Sequence, residues 1–178
     1  SRVLDVDPTA SEWAFQRLTV VHTVAERWDE LLALYDREIQ RTPDTHRRAV
    51  LLEEAAQTAK DFAGAPDRAA AYLLQLFELR PSDRSLASSL ERLLERQERY
   101  DDLVRLWRGQ AEVADAKEAS ELRLRIAEAL FDRLERPSDA LDELRALLAA
   151  DGADDDGPME MLERIVRDEA IDAEARRD

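Results

Sequence analysis

Apolar residues recur along the chain every three or four positions, and prolines or glycines interrupt this pattern at intervals. Such spacing places apolar side chains on one side of an α-helix. All six prolines fall at predicted joints, where they can begin or end a helix without breaking it. The pattern predicts an all-α fold of about nine helices. The predicted helices cover approximately residues 9–24, 27–42, 45–63, 68–80, 82–96, 100–113, 117–135, 137–150 and 159–170.

Each predicted helix carries a stripe of residues expected to face the core. In the first helix this stripe consists of Ala14, Phe15, Leu18, Val21 and Ala25. The inward positions predicted for later helices include Phe62, Leu148 and Val166. The aromatic side chains at helical spacing are predicted to pack between helices rather than to stack on a ligand. They are Trp28, Tyr35, Tyr100 and Trp107.

A longer period is superimposed on these helices. The stretch WDELLALY at Trp28–Tyr35 returns as YDDLVRLW at Tyr100–Trp107, 72 residues later. Equivalent places at intervals of 38, 34 and 37 residues are occupied by Leu31, Ala69, Leu103 and Ala140. Four residues after this first set come Tyr35, Leu73, Trp107 and Leu144. Twelve residues after the same first set come Pro43, Pro81, Asp115 and Gly152.

These spacings resemble the tetratricopeptide repeat (TPR), a helix–turn–helix unit of about 34 residues. The likeness is divergent, because the third helix fits only after a one-residue shift and two units form a double repeat of 71–72 residues. It implies an α-solenoid of antiparallel helix pairs in a right-handed superhelix. The expected pairs are 9–42, 45–80, 82–114 and 117–151, with a partial unit at 158–178.

The apolar positions before Pro8 match those before Pro81. We therefore expect residues 1–178 to form a single repeat array within a longer protein. In tetratricopeptide arrays the first helix of each pair lines a concave groove that grips a protein or peptide. The resemblance implies a partner-binding face made of Trp13, Gln16, Val20, Glu54, Thr58, Ser88, Arg92, Arg125, Ala129, Arg164 and Arg167. Its four arginines could receive carboxylates, or could equally form internal salt bridges with Glu54, Glu95 or Asp132.

Composition narrows the range of partners. Charged residues make up 38% of the chain and hydrophobic residues 44%, which suits a helical core with solvated faces. The net charge of -15 disfavours nucleic acid and anionic membrane surfaces as partners. The longest stretch without a charge, Ala69–Phe77, is too short to span a membrane, so no membrane insertion is expected. No signal-peptide pattern is visible, and without cysteine there is no thiol chemistry.

Catalytic and metal-binding patterns are weak. His22 lies on the apolar stripe of the first helix and is predicted to pack in the core, whereas His46 is predicted to be exposed. No phosphate loop or nucleophile elbow is present, so neither an enzyme nor a cofactor is expected. The acidic loop at 151–163 places Asp154, Asp156 and Glu163 in a calcium-loop frame, but Gly152 replaces its first ligand. A solvated loop is the favoured interpretation.

The sequence therefore predicts a non-catalytic scaffold for protein–protein interaction. An alternative is a structural spacer whose repeats associate end to end, and a calcium-binding module is a weaker one.

Overall fold

The computed structural model describes the backbone of residues 8–149 and 157–175, with the side chains of 12–149 and 157–168. These residues form nine α-helices and no strand, which confirms the all-α prediction. They are α1 (Pro8–Val24), α2 (Trp28–Arg41), α3 (Thr45–Asp61), α4 (Pro66–Leu79), α5 (Arg84–Arg96), α6 (Tyr100–Ala111), α7 (Ala116–Asp132), α8 (Pro137–Ala149) and α9 (Gly157–Ala175). None of these helices has both the length and the apolar character needed to cross a membrane.

The odd-numbered helices α3, α5 and α7 begin with an aspartate cap. The side chains of Asp44, Asp83 and Asp115 accept hydrogen bonds from backbone N–H groups three residues later, at 2.7, 3.0 and 2.9 Å. Such caps satisfy N–H groups that the first helical turn leaves without a partner. The helices α2, α4 and α6 begin without a side-chain cap. Helix starts of two kinds therefore alternate along the chain.

A left-handed residue lies shortly before the start of α2, α4, α6 and α8. Glu26, Gly64, Glu98 and Glu135 have φ values of 52°, 58°, 54° and 52°. They recur at intervals of 38, 34 and 37 residues, as the equivalent positions in the even-numbered helices do. The turns close with backbone bonds, such as those from Arg27 N–H to the His22 carbonyl at 2.9 Å and from Arg99 N–H to the Leu94 carbonyl at 3.0 Å. Such bonds are characteristic of the turn that ends a helix at a left-handed residue.

The positions that are equivalent from one repeat to the next are also packed alike. Leu31, Ala69, Leu103 and Ala140 are each the fourth residue of an even-numbered helix, and all four are buried. Their N–H groups donate to the residue just before the helix, at 3.0–3.1 Å. Three of the four side chains that follow one turn later, Tyr35, Trp107 and Leu144, are buried as well.

The described helices group into two compact units, residues 1–80 and 81–178. In unit 1, α1 packs on α2, and α3 packs between α2 and α4. The largest wholly buried side chains of this unit are Leu32, Leu51 and Leu52. Burying a leucine side chain contributes roughly 1.5–3 kcal/mol, so these residues hold the helices of the unit together.

Unit 2 contains α5 to α9. In it α6 packs between α5 and α7, and α7 also contacts α8 and α9. Leucine and isoleucine side chains from all five helices are wholly buried and form the core of the unit. They are Leu90, Leu94, Leu103, Leu106, Ile126, Leu130, Leu144 and Ile165.

The predicted core of α1 is wrong in most of its positions. Phe15 is buried, but Ala14, Leu18, Val21 and Ala25 are exposed. The reason is packing: α1 contacts α2 on one side, and no described helix covers the side that carries these four residues. Amphipathic spacing specifies a stripe, but a stripe is buried only where another element lies on it.

Three further predicted core residues are exposed: Phe62, Leu148 and Val166. Phe62 follows the last turn of α3 and stacks on Trp28, with ring centroids 5.2 Å apart. Trp28 is consequently half-buried in an aromatic pair at the edge of unit 1 rather than enclosed between helices. Leu148 and Val166 lie in the last part of unit 2, on α8 and α9.

Candidate partner-binding site

The predicted face has five residues in unit 1, on α1 and α3. Trp13 and Val20 are 64% and 61% exposed, and Gln16 between them hydrogen-bonds to Glu12 at 3.1 Å. The guanidinium carbon of Arg17 lies 5.7 Å from the centre of the Trp13 ring. This part of the face is therefore open to solvent and largely apolar.

On α3, Glu54 is engaged with the core aromatic residue Tyr35. The Tyr35 hydroxyl donates to the Glu54 carboxylate at 3.3 Å, and the Tyr35 ring meets Phe15 edge-on with centroids 5.6 Å apart. Burial and the neighbouring Glu54 carboxylate raise the pKa of Tyr35 to about 12. Thr58 donates to the backbone carbonyl of Glu54 at 2.8 Å. These contacts connect α1, α2 and α3 and restrict what Glu54 and Thr58 can offer a partner.

Ion pairs connect the odd-numbered helices of unit 2. Arg84 on α5 pairs with Glu118 on α7 at 2.7 Å, and Arg125 on α7 pairs with Glu91 on α5. Arg164 on α9 pairs with Asp132 on α7 at 2.7 Å. These contacts hold two residues of the predicted face, Arg125 and Arg164, against neighbouring odd-numbered helices. Unit 1 has a related pair, Arg47 on α3 with Glu12 on α1 at 2.7 Å.

Within unit 2, α5, α6 and α7 line a shallow groove. Trp107 and Leu103 come from α6, whereas Arg125 and Ala129 lie one turn apart on α7. The guanidinium carbon of Arg125 lies 4.4 Å from the centre of the Trp107 ring, and the Trp107 indole N–H donates to Glu91 at 3.0 Å. One carboxylate thus holds both the tryptophan and the arginine that covers it.

The rim of this groove is charged. Glu95, Glu128, Asp132 and Arg133 line it, and the Arg133 guanidinium lies 5.4 Å from the centre of the Tyr100 ring. Glu95 and Glu128 are exposed and form no ion pair within the described part of the chain. The groove therefore combines an apolar floor with two carboxylates that are available to a cation.

The arginines of the predicted face differ in their availability. Arg125 and Arg164 are engaged in ion pairs, and Arg164 also lies 5.4 Å from the centre of the Phe131 ring. Arg92 makes a long hydrogen bond of 3.4 Å to Ser89 on its own helix, and its neighbour Ser88 is exposed. Arg167 is exposed without an ion pair among the described residues. Two of the four arginines of the predicted face are thus engaged in internal salt bridges.

Ala129, which the sequence places on the partner-binding face, is not exposed in the structure. It is only 7% exposed and forms part of the groove floor, because the neighbouring helices α5 and α6 cover that side of α7. A small residue at this position leaves the groove open without itself presenting much surface. Asp132 is a partner for Arg164, as the sequence suggested, whereas Arg125 takes Glu91 rather than Glu95.

Apart from the pair of Arg164 with Asp132, the cross-helix ion pairs were not predicted from the sequence. Opposite charges about one repeat apart form them in both units: Arg68 with Asp36 at 2.6 Å, Arg108 with Glu143 at 2.7 Å, and Arg136 with Asp101 at 3.1 Å. Their separations of 32 to 35 residues match the repeat length. A search for opposite charges at that separation would have found them.

Charged side chains lie at or near the surface in the ranges that the structure describes. No Asp, Glu, His, Lys or Arg residue there is buried. Among the same residues no group of three histidine, aspartate or glutamate side chains could hold a metal ion. His46 is exposed, as predicted, and His22 is half-buried with its Nδ1 enclosed and without a hydrogen-bond partner. Asp154 and Asp156 of the predicted calcium loop lie outside the described residues.

Compared with the profiles of known protein families and with curated proteins, the chain matches none.

Proposed function

We propose that the chain is a non-catalytic scaffold for protein–protein interaction, of a tetratricopeptide-like class. The odd-numbered helices of each unit would present binding residues, and the groove of unit 2 would be the principal site. The observation that carries this proposal is the groove itself, in which an apolar floor lies beside the carboxylates of Glu95 and Glu128, which form no ion pair with the residues that the structure describes.

The chemistry of the groove favours a peptide with an apolar and a basic side chain. The half-buried Tyr100 ring, with the edges that Trp107 and Ala129 leave exposed, would contact the apolar group. A lysine or arginine of the partner would reach Glu95 or Glu128, and the net charge of -15 would attract a basic partner over a longer distance. The ion pair between Arg125 and Glu91 fixes the groove wall, so the surface is preorganised for binding.

Selection from a random peptide display library tests this function. We expect peptides rich in basic and apolar residues to be enriched on the immobilised chain. The double variant Glu95→Lys/Glu128→Lys should weaken the binding of an enriched peptide at least about tenfold, because it reverses both rim charges. Glu112→Lys is the matched control: Glu112 is exposed, follows α6 directly and lies outside the groove.

Either of two results would contradict the proposal. One is a selection that enriches no peptide above background. The other is a set of enriched peptides that bind the double variant and the Glu112→Lys control equally well.

A further inference from the structure

The helices α5 and α7 run side by side in the same direction. Arg84 and Glu118 pair within the first turns of the two helices. Seven residues later on each helix, which is about two turns, Glu91 pairs with Arg125. The backbones of α5 and α7 do not approach each other closely, since α6 is the helix that packs against both. Ion pairs that contain an arginine therefore span the space between α5 and α7.

One turn further along, the same space lies between two glutamates. Glu95 follows Glu91 by four residues on α5, and Glu128 lies three residues after Arg125 on α7. These two glutamates are 33 residues apart, within the range of 32 to 35 residues that separates oppositely charged partners on other helices. Because a carboxylate has no hydrogen-bond donor, this carboxylate pair, Glu95 and Glu128, cannot connect α5 to α7 as an arginine does.

The groove of unit 2 lies at the carboxylate pair. Both glutamates line it, as do the half-buried Tyr100 ring and the small side chain of Ala129. The volume of the groove is about 240 Å³. Sites that enclose a drug-sized ligand have roughly 300–1,000 Å³. The groove therefore suits one long side chain better than a whole small molecule.

The other charged groups of the groove leave the carboxylate pair without a counter-charge. Arg125 and Asp132 are engaged in ion pairs with other helices. Arg133 lies over the Tyr100 ring and forms no ion pair with a described residue. A cation that enters the groove would therefore meet two carboxylates that have no ion-pair partner among the described residues.

The carboxylate pair favours a guanidinium over an ammonium group. A guanidinium is planar and has donors along several edges, so it can bind a carboxylate on each of two edges. An ammonium group is a compact point charge and bridges two separate carboxylates less well. A guanidinium also stacks on aromatic rings, as Arg125 does on Trp107 one turn away. Tyr100 offers a ring of this kind in the groove.

We propose that the carboxylate pair binds one arginine side chain of the protein partner. The guanidinium lies between α5 and α7, with Glu95 at one edge and Glu128 at another. It makes across the groove the kind of contact that Arg125 and Glu91 make one turn earlier. The inference rests on the proposed function and adds to it that the basic residue of the partner is arginine and that it uses both carboxylates together.

Short capped peptides that differ at one position test the requirement for arginine. Each has a leucine beside a central arginine, lysine or citrulline, and citrulline has the shape of arginine without its charge. Nuclear magnetic resonance titration of the isotope-labelled intact chain measures their dissociation constants. We expect the arginine peptide to bind at least about fivefold more tightly than the lysine peptide. The citrulline peptide should show no measurable binding.

Single substitutions test whether one guanidinium uses both carboxylates. Glu95→Gln and Glu128→Gln should each weaken binding of the arginine peptide about tenfold, with Glu112→Gln as the control outside the groove. Several results would overturn the inference. They are an effect at only one of the two glutamates, equal binding of the arginine and lysine peptides, retained binding of the citrulline peptide, and no binding of the arginine peptide.

Glu128→Arg provides a test without any peptide. The introduced arginine should pair with Glu95, raise the urea midpoint of unfolding above that of Glu112→Arg, and abolish binding of the arginine peptide. Glu112→Arg is the matched control because it changes the net charge by the same amount outside the groove. Equal midpoints for the two variants would overturn the proposed placement of the guanidinium.

The inference and the proposed function can be told apart when they fail. Peptides from the display selection that bind the groove without an arginine would overturn the inference and leave the scaffold function standing. A selection that enriches no peptide would contradict both.

Discussion

At the scale of single residues, the turns between paired helices are strained in a regular way. Three of the four left-handed positions hold glutamate, although only glycine adopts this conformation without a steric cost. Gly64 occupies the fourth, where an added Cβ would meet no atom within 4 Å. A side chain at position 64 would therefore be disfavoured by the local backbone conformation and not by crowding from neighbouring elements.

Glu98→Gly should stabilise the protein. Removing the side chain relieves the strain of the positive φ, and the greater freedom of glycine in the unfolded chain offsets part of that gain. The expected increase in the free energy of unfolding is about 0.5–1 kcal/mol, measured by urea denaturation. As a control, Glu112→Gly at φ -67° should lower the stability. A Glu98→Gly variant destabilised as much as the control would contradict this account of the turns.

The buried Tyr35 should make the folded state sensitive to alkali. Burial and Glu54 raise the pKa of Tyr35 to about 12, above the value of about 10 for an unfolded chain. The folded state therefore holds this proton more tightly. The stabilisation associated with the proton is complete below about pH 10 and is lost as the pH rises towards 12.

Ultraviolet titration of tyrosinate measures this effect. The Tyr35 signal, identified as the part that Tyr35→Phe removes, should appear well above pH 10 in the folded chain and near pH 10 in denaturant. Ionisation of Tyr35 at the same pH in both states would show that its environment is wrongly described. Burial and Asp36 likewise raise the pKa of Tyr72.

At the scale of helices, only one of the two kinds of helix start has a side-chain cap that contributes to the stability of the fold. Asp83→Ala should lower the free energy of unfolding by about 1 kcal/mol, because it removes the acceptor for the Leu86 N–H at the start of α5. Arg27→Ala is the control, since Arg27 precedes α2 without a side-chain cap bond. Chemical denaturation of both variants provides the comparison, and an equal loss in the two would refute the role of the aspartate.

The sequence predicted where the helices begin and end far better than it predicted what packs against them. Proline positions and the spacing of apolar residues located eight of the nine described helices to within about three residues at each end. The same pattern failed for Leu18 and Val21 of α1, because periodicity gives the direction of a stripe and not what lies against it. It also could not show that the left-handed turn positions would accept glutamate.

For the whole molecule, the period of the sequence explains the cross-helix ion pairs. When helices two places apart lie side by side within a unit, charges about 34 residues apart come into contact, as Arg125 and Glu91 do. The sequence placed Arg125 on the predicted binding face but could not show that an aromatic ring and a carboxylate would hold it there. Which face meets a partner depends on which charges remain unpaired, and only the folded structure shows that Glu95 and Glu128 form no ion pair with the other described residues.

The central claim is that the groove of unit 2 receives a protein segment. The most direct test is nuclear magnetic resonance of the isotope-labelled chain during titration with a peptide enriched in the display selection. We predict that chemical-shift changes concentrate on the indole N–H of Trp107 and on the amides around Glu95 and Glu128, and that Glu95→Lys/Glu128→Lys moves the midpoint of these changes to a peptide concentration at least about tenfold higher. Changes that avoid these residues, or that persist unchanged in the double variant, would contradict the account.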